Sequence, residues 1–409
     1  MSDDSYTEVT SQSWFSRIGG AIKGIIFGFI LFVIAFPLLF WNEGRAVKTY
    51  KTLKEGGGAV ISVQADQVAS NNEGKLVHLS GKATTEDILT DSVFGVSDNA
   101  LRLRRKVAMY QWQERSESET KKKLGGGTET VTTYSYSKGW TNDVIRSSDF
   151  KKPGGHENPG SMPYASEEQT AGRVTLGAFT LSPSQVNRIN RFEPLSVGSD
   201  TQQSQQPESL DSRMTRQANG FYLGADPASP QVGDVRIQFE SVEPTEVSIV
   251  AQQSGSSLGS YRTQVGGDID LLQVGMHTAE AMFQKAQSDN TILTWGLRAV
   301  GFFLMMIGLS MIFKVFSVLA DVLPFLGNIV EAGTGFIAFL LAGVLSLITI
   351  AVAWIVFRPL LGIILLAVAV GLVVLIGSKI KAGKARKMGT AGNTQAVPPG
   401  AVPPPPPPA

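Results

Sequence analysis

Apolar residues gather in a few unbroken runs along this chain and elsewhere alternate with polar ones. Gly24 to Trp41, Gly296 to Phe313, Gly333 to Phe357 and Pro359 to Ser378 are the runs, the last two separated only by Arg358. A helix of about 20 residues crosses a hydrocarbon core of roughly 30 Å, so each run is predicted to span a membrane. The start of the chain is acidic and no small-x-small cleavage site follows, so the first run reads as a retained span rather than a signal peptide.

Two flanking stretches have helical spacing without enough apolar length. Trp14, Ile18 and Ile22 recur every fourth residue beside Arg17 and Lys23, as in a helix lying on the membrane surface. Phe316, Leu319, Leu323, Leu326 and Val330 do the same across Pro324, which predicts an amphipathic interfacial segment over 315–330. The polar residues 1–12 are expected to be disordered.

Between the first two spans, residues 42–294 alternate as strands do. Strands are predicted at Ala59 to Val63, Lys75 to Leu79, Val107 to Trp112, Arg173 to Leu176, Asp234 to Phe239 and Glu246 to Val250. Helices are predicted at Ser182 to Arg191, with Ser182 as N-cap and Pro183 in the first turn, and at His277 to Ser288. Ser116 to Thr130 and Gly198 to Gln206 read as solvated loop insertions. Asn42-Glu43-Gly44-Arg45 and Asn72-Glu73-Gly74-Lys75 hint at a duplication, on too few residues to establish one. The fold class that follows is an α+β membrane protein, with four transmembrane helices and a large strand-rich extracytoplasmic domain between the first and second.

Orientation follows from Lys379, Lys381, Lys384, Arg386 and Lys387, which come directly after the last span and anchor it in the cytoplasm. Four spans return the amino terminus to that side and put 42–294 outside. Arg45, Lys48, Lys51 and Lys54 oppose this assignment, but the rule is weak for long loops. Residues 379–409 form a basic and proline-rich tail, whose Pro398 to Pro408 stretch reads as a solvated polyproline II extension.

Composition narrows the chemistry. The chain has no cysteine, which excludes disulfides and thiolate sites, and three histidines far apart in sequence. The net charge of +1 gives no case for nucleic acid, and no phosphate loop, cofactor motif or metal-binding spacing occurs. Gly255-Ser256-Ser257-Leu258-Gly259 matches the nucleophile elbow form, with Asp270 and His277 downstream, but no helix follows it. A serine hydrolase using Ser257 is therefore a remote alternative to a Ser/Gly turn.

Arg102, Arg104 and Lys106 fall on one face of a strand, opposite Leu101, Leu103 and Arg105. They are candidate contacts to acidic lipid or a partner, set against a solvated sheet face paired with carboxylates such as Glu114 or Glu117. Tyr110, Trp112, Tyr134, Tyr136 and Trp140 read more readily as cross-strand pairs than as a groove, and His277 as a hydrogen-bonded structural residue. Ala338 with Ala342, and Ala367 with Gly371, sit four apart and favour close helix packing, within the last helical hairpin or between copies.

Several ordered motifs carry a resemblance. Asn42-Glu43-Gly44-Arg45-Ala46 after the first span, Asn72 to His78, Leu103-Arg104-Arg105 leading to Met109-Tyr110-Gln111-Trp112, Tyr134-Ser135-Tyr136 before Trp140, Gly233-Asp234-Val235-Arg236, Thr294 to Ala299 and Arg358-Pro359-Leu360 resemble the LUMA, or transmembrane protein 43, family. The Gln-rich loop and the proline tail depart from that family's pattern. The resemblance implies four spans, cytoplasmic termini, self-association and no catalytic residue set. For a eukaryotic member it implies the endoplasmic reticulum and inner nuclear membrane, with emerin and lamins as partners. A chain without cysteine and with this tail fits a bacterial relative in an inner membrane, where those partners do not exist. The expectation is a homo-oligomeric scaffold for membrane proteins or lipids, without cofactor, with a ligand-binding sensor as the alternative.

Overall fold

The computed structural model describes residues 4–197 and 213–359, except for the side chains of residues 324 and 326. The chain divides into two compact units, Met1–Ser346 and Leu347–Ala409.

In the first unit, β1 (Ser5–Gln12) leads into helix α1 (Trp14–Ala59). There follow β2 (Ile61–Ser62), β3 (Leu76–Thr84), the pair β4 (Leu89–Asp91) and β5 (Val96–Asp98), and the two longest strands, β6 (Arg102–Lys122) and β7 (Thr128–Thr141). Next come β8 (Glu167–Thr170), β9 (Val174–Leu176), β10 (Phe179–Leu181), the one-turn α2 (Pro183–Val186) and β11 (Glu193–Pro194). Strands β12 (Met214–Gln217), β13 (Gly220–Leu223), β14 (Val235–Val242), β15 (Thr245–Ser254), β16 (Ser257–Gly259), β17 (Tyr261–Arg262), β18 (Asp268–Ile269) and β19 (Leu271–Val274) complete the sheets. Helix α3 (Ala279–Ala320) follows, and α4 (Pro324–Phe357) begins here and ends in the second unit.

Two sheets make the body. One runs β1-β7-β6-β14-β13-β12 and the other β19-β15-β16-β10-β9-β3-β2, with β15 also paired to β3. Alternate residues of β14, Val235, Ile237 and Phe239, are fully buried and pack with Val107 and Met109 of β6 and with Val247 and Ile249 of β15. Strand β15 is buried on both faces because Val250 points the other way, into a second cluster with Leu53 of α1 and Met282 and Phe283 of α3. That cluster fixes the body to one end of the helix pair.

Helices α1 and α3 run antiparallel. Gly28 meets Gly308, Gly301 meets Leu39 and Gly56 meets Phe283, so glycines bring the two backbones together along most of their length. Ala35, Leu39, Met305, Leu309, Ala338 and Ala342 form a third apolar cluster that also takes in α4.

Three helices, Trp14–Ala59, Ala279–Ala320 and Gly327–Phe357, are long and apolar enough to cross a membrane. The expected fourth span at 359–378 lies outside the described residues, as do Ala367, Gly371, the lysine-rich anchor and the Gly198 to Gln206 loop.

Several expectations need correction. The surface helix, the first span and the next eighteen residues are one helix, because no breaker follows Trp41 and even Pro37 is accommodated inside α1. The predicted helix at His277 likewise continues into the second span as α3. The interfacial segment over 315–330 is divided by a turn, since Pro324 cannot continue α3 and instead starts α4. Helix α2 is much shorter than Ser182 to Arg191, although Ser182 and Gln185 form the capping box and Pro183 opens the turn. No duplication is present: Asn42 to Arg45 lies in α1, and Asn72 to Lys75 in a turn.

The largest difference concerns residues 1–12 and the expected insertion at Ser116 to Thr130. Strands β6 and β7 continue through that insertion to a turn at Lys123 to Gly127, and β1 pairs with β7 from Ser5↔Ser135 to Gln12↔Thr128. Residues Ser5–Gln12 form a strand because an edge of backbone hydrogen bonds on β7 is open to them. Asp4 then bonds His156 of the body.

Candidate functional site

The three-stranded arm of β1, β7 and β6 sets the geometry. Its base is in the body, beside the end of α1 where Thr52 packs on Gly267. Its tip lies at the other end of α1, where Arg17 donates to the carbonyl of Gly126. Rising about 1.5 Å per residue, α1 covers roughly 50 Å between Arg17 and Thr52. At about 3.4 Å per residue, β6 covers a similar distance from Met109 to the tip. The arm therefore passes alongside the uncharged run Gly24 to Trp41 while remaining polar itself: the Arg115 and Glu117 side chains are 81% and 79% exposed.

Two polar clusters mark the ends of the helix pair. At the body end, Asn42 donates to the carbonyl of Thr294 at 3.0 Å, and Arg45 donates to Asn290 Oδ1 at 3.0 Å, to Thr294 Oγ1 at 3.0 Å and to Asn42 Oδ1 at 3.2 Å. Asn290 donates back to the carbonyl of Ala46 at 3.1 Å. One turn on, Arg298 grips the fully buried Glu43 with two hydrogen bonds of 2.6 and 2.9 Å. Hydropathy alone does not identify this knot. The signal was available, since Asn290, Thr294 and Arg298 recur every fourth residue and Asn42 and Arg45 are three apart.

At the tip end, Trp14 Nε1 donates to the carbonyl of Val318 at 2.8 Å, and Gly125 N donates to that of Val322. The fully buried Asp321 accepts Arg17 and Lys122, and Lys122 also reaches Glu331 at 2.7 Å. Burial pulls the Lys122 ammonium down, but the hydrogen bonds from it to Glu331 and Asp321 outweigh that and leave its pKa raised. The turn that ends α3 is thereby tied to α1 and to the arm.

The basic strand is satisfied within the fold. Arg102 pairs with Glu168, while Arg104 Nε and Lys106 Nζ each reach Glu240 at 2.7 Å. The partners are not Glu114 or Glu117, because β14 and β8, rather than β7, flank this part of β6. Burial raises the Glu240 carboxyl, and the hydrogen bonds from Lys106 and Arg104 more than reverse it, leaving the pKa below its ordinary value. Arg105, on the opposite face, is buried against Asp91 and the Phe94 ring.

The aromatic residues form pairs rather than a groove. Tyr110 lies opposite Trp140 with ring centroids 5.3 Å apart, and Tyr136 stacks at 3.9 Å on the buried His156, which also meets Trp112. Burial and the hydrogen bond to Glu114 push the Tyr136 hydroxyl up to about 12. His277 is held by its backbone and by the Val274 carbonyl, as a structural residue would be.

Ser257 lies just past a hairpin turn at Gly255 and opens strand β16, so the strand-turn-helix context of a nucleophile is absent. Asp270 is occupied by Gln185 and Arg188 rather than by His277. Ala338 and Ala342 are fully buried in a cluster with residues of α1 and α3.

The family model described as Transmembrane protein 43 matches residues 109–359. The chain belongs to the transmembrane protein 43 family. It is 35% identical to Transmembrane protein 43 of Rattus norvegicus, over 87% of this chain and 90% of the relative. It is 33% identical to that of Homo sapiens, over 92% and 95%, and 32% identical to the Transmembrane protein 43 homolog of Drosophila melanogaster, over 83% and 90%. No solved structure matches the chain. The family match covers most of the arm, the strands from β7 onward, α3 and α4.

Proposed function

We propose that this member of the transmembrane protein 43 family is a non-enzymatic multi-pass scaffold that self-associates and organises membrane proteins or lipids. The observation that carries the proposal is the polar arm beside the apolar helices. Its outer strand β1 has one unpaired edge, and β6 has another beyond Trp112, among the described residues. An open sheet edge facing lipid leaves backbone groups without partners, at a cost of several kcal/mol each, and is tolerated only against protein or water. A second copy supplies that cover. Self-association then protects the arm from lipid and repeats the body at regular intervals along the membrane.

Native mass spectrometry of the full chain released from lipid nanodiscs, without cross-linker, tests this. A discrete multimer is expected. A clean monomer carrying neither lipid nor partner overturns it. The runner-up, a ligand-binding sensor, draws on a cavity of about 250 Å³ beside Trp140, Tyr222 and Arg236. Placement follows the resemblance: the endoplasmic reticulum and inner nuclear membrane, with emerin and lamins, in a eukaryotic cell, and the inner membrane in a bacterium.

A further inference from the structure

A cavity of about 960 Å³ lies between the arm tip, the first turns of α1 and the end of α3. Arg17, Lys23, Lys122 and Lys314 line it, against Glu331 as the only carboxylate in its wall among the described residues. Asp321, behind the wall, takes up Arg17 and Lys122. Lys23 and Lys314 are exposed and have no carboxylate partner among the described residues. Counting both acids, the cavity keeps an excess of two positive charges.

Its position narrows what can fill it. Gly24 of α1 lies beside Met311 of α3, which puts Lys23 and Lys314 at the same level, directly where the apolar runs begin. This is the depth of lipid headgroups. Helix α1 has no acidic residue in its first turn, so the partial positive charge of its amino terminus adds to the side chains. A Cβ at Gly19 or Gly20 would meet nothing within 4 Å, so that wall of the cavity is open.

We propose that this cavity binds the phosphate of an anionic phospholipid headgroup, with Lys23 and Lys314 as the groups that recognise it. The volume far exceeds that of a bare phosphate ion and suits a headgroup whose acyl chains continue along the apolar surfaces of α1 and α3. The site does not depend on self-association. It would place the arm tip, α1 and the α3–α4 turn around one lipid and make their junction sensitive to membrane composition.

The test uses full-length protein in nanodiscs of phosphatidylcholine with or without phosphatidic acid, read by native mass spectrometry, together with a thermal titration in inorganic phosphate. Retention of phosphatidic acid is expected, falling roughly thirtyfold in the Lys23→Gln/Lys314→Gln double variant, since two lysines near an anionic surface together contribute about 2 kcal/mol. Lys54→Gln, an exposed lysine at the other end of α1, should leave retention unchanged. Equal retention by the double variant, or none by the wild type, overturns the proposal. Stabilisation by inorganic phosphate that needs both lysines, without lipid retention, assigns the site to a soluble phosphate and overturns the lipid source.

Discussion

Arg298 holds Glu43 through two hydrogen bonds of 2.6 and 2.9 Å across 255 residues of sequence, at the point where α3 and α1 emerge from their apolar runs. Glu43 has no exposure, so removal of Arg298 takes away the guanidinium that grips a buried charge. Arg298→Ala should therefore cost about 3–5 kcal/mol, and the Glu43→Met/Arg298→Met double variant markedly less, because neither charge is then stranded. Thermal unfolding in detergent distinguishes the two. A double variant as unstable as the single one would mean that the knot acts through something other than charge compensation.

Gly28 and Gly308 set how closely α1 and α3 approach. A Cβ on Gly28 would lie 2.7 Å from the Gly308 carbonyl oxygen and 2.8 Å from Met311 Cβ. Gly28→Ala must push the helices apart and should cost about 1–3 kcal/mol, as overpacking does. Gly58→Ala, in open space near the end of the same helix, serves as the matched control in the same unfolding assay.

The Arg104–Glu240–Lys106 group predicts a pH dependence. The carboxyl has a lower pKa in the folded state than when unfolded, so the folded protein binds fewer protons there. Its stabilisation is complete above the ordinary glutamate value of about 4.3 and is lost as pH falls through the folded value. Glu240→Gln should flatten the fall in melting temperature over that acidic window. An unchanged slope would show that other carboxylates carry it.

Removing residues 1–12 strips β1 from β7 along the whole arm. Amides of Thr128 to Ser135 should then exchange about tenfold faster or more, while those of β14 in the body keep their protection. Hydrogen exchange followed by mass spectrometry reads both in one experiment. Unaltered exchange in β7 would place β1 elsewhere in solution.

Ser257→Ala should change stability by less than about 0.5 kcal/mol, because the side chain is exposed just past a hairpin turn.

How much of this was legible beforehand varied with the range of the interaction involved. The strands around Leu76 to Leu79, Val235 to Phe239 and Val247 to Val250 announced themselves by alternation, and Ser182-Pro183 by its capping chemistry. The arm was misread as a loop because Ser116 to Lys123 contains no apolar face to alternate. Its strands are held by backbone pairing, which side-chain pattern does not report. The basic strand was visible, but its partners were assigned to the neighbouring hairpin strand when β14 and β8 provide them.

By itself, the sequence determined the apolar runs, the strand-rich middle region and the turns and caps, since each depends on residues a few positions apart and on the period of helix or strand. Only the tertiary structure decided that α1 and α3 lie antiparallel on facing glycines, that Glu43 meets Arg298, that β1 completes the arm, and that Lys23 and Lys314 share a cavity with Lys122. Those contacts join residues separated by a hundred to three hundred positions. No local periodicity encodes which distant partner closes them, and packing and charge compensation choose it only once the chain has folded.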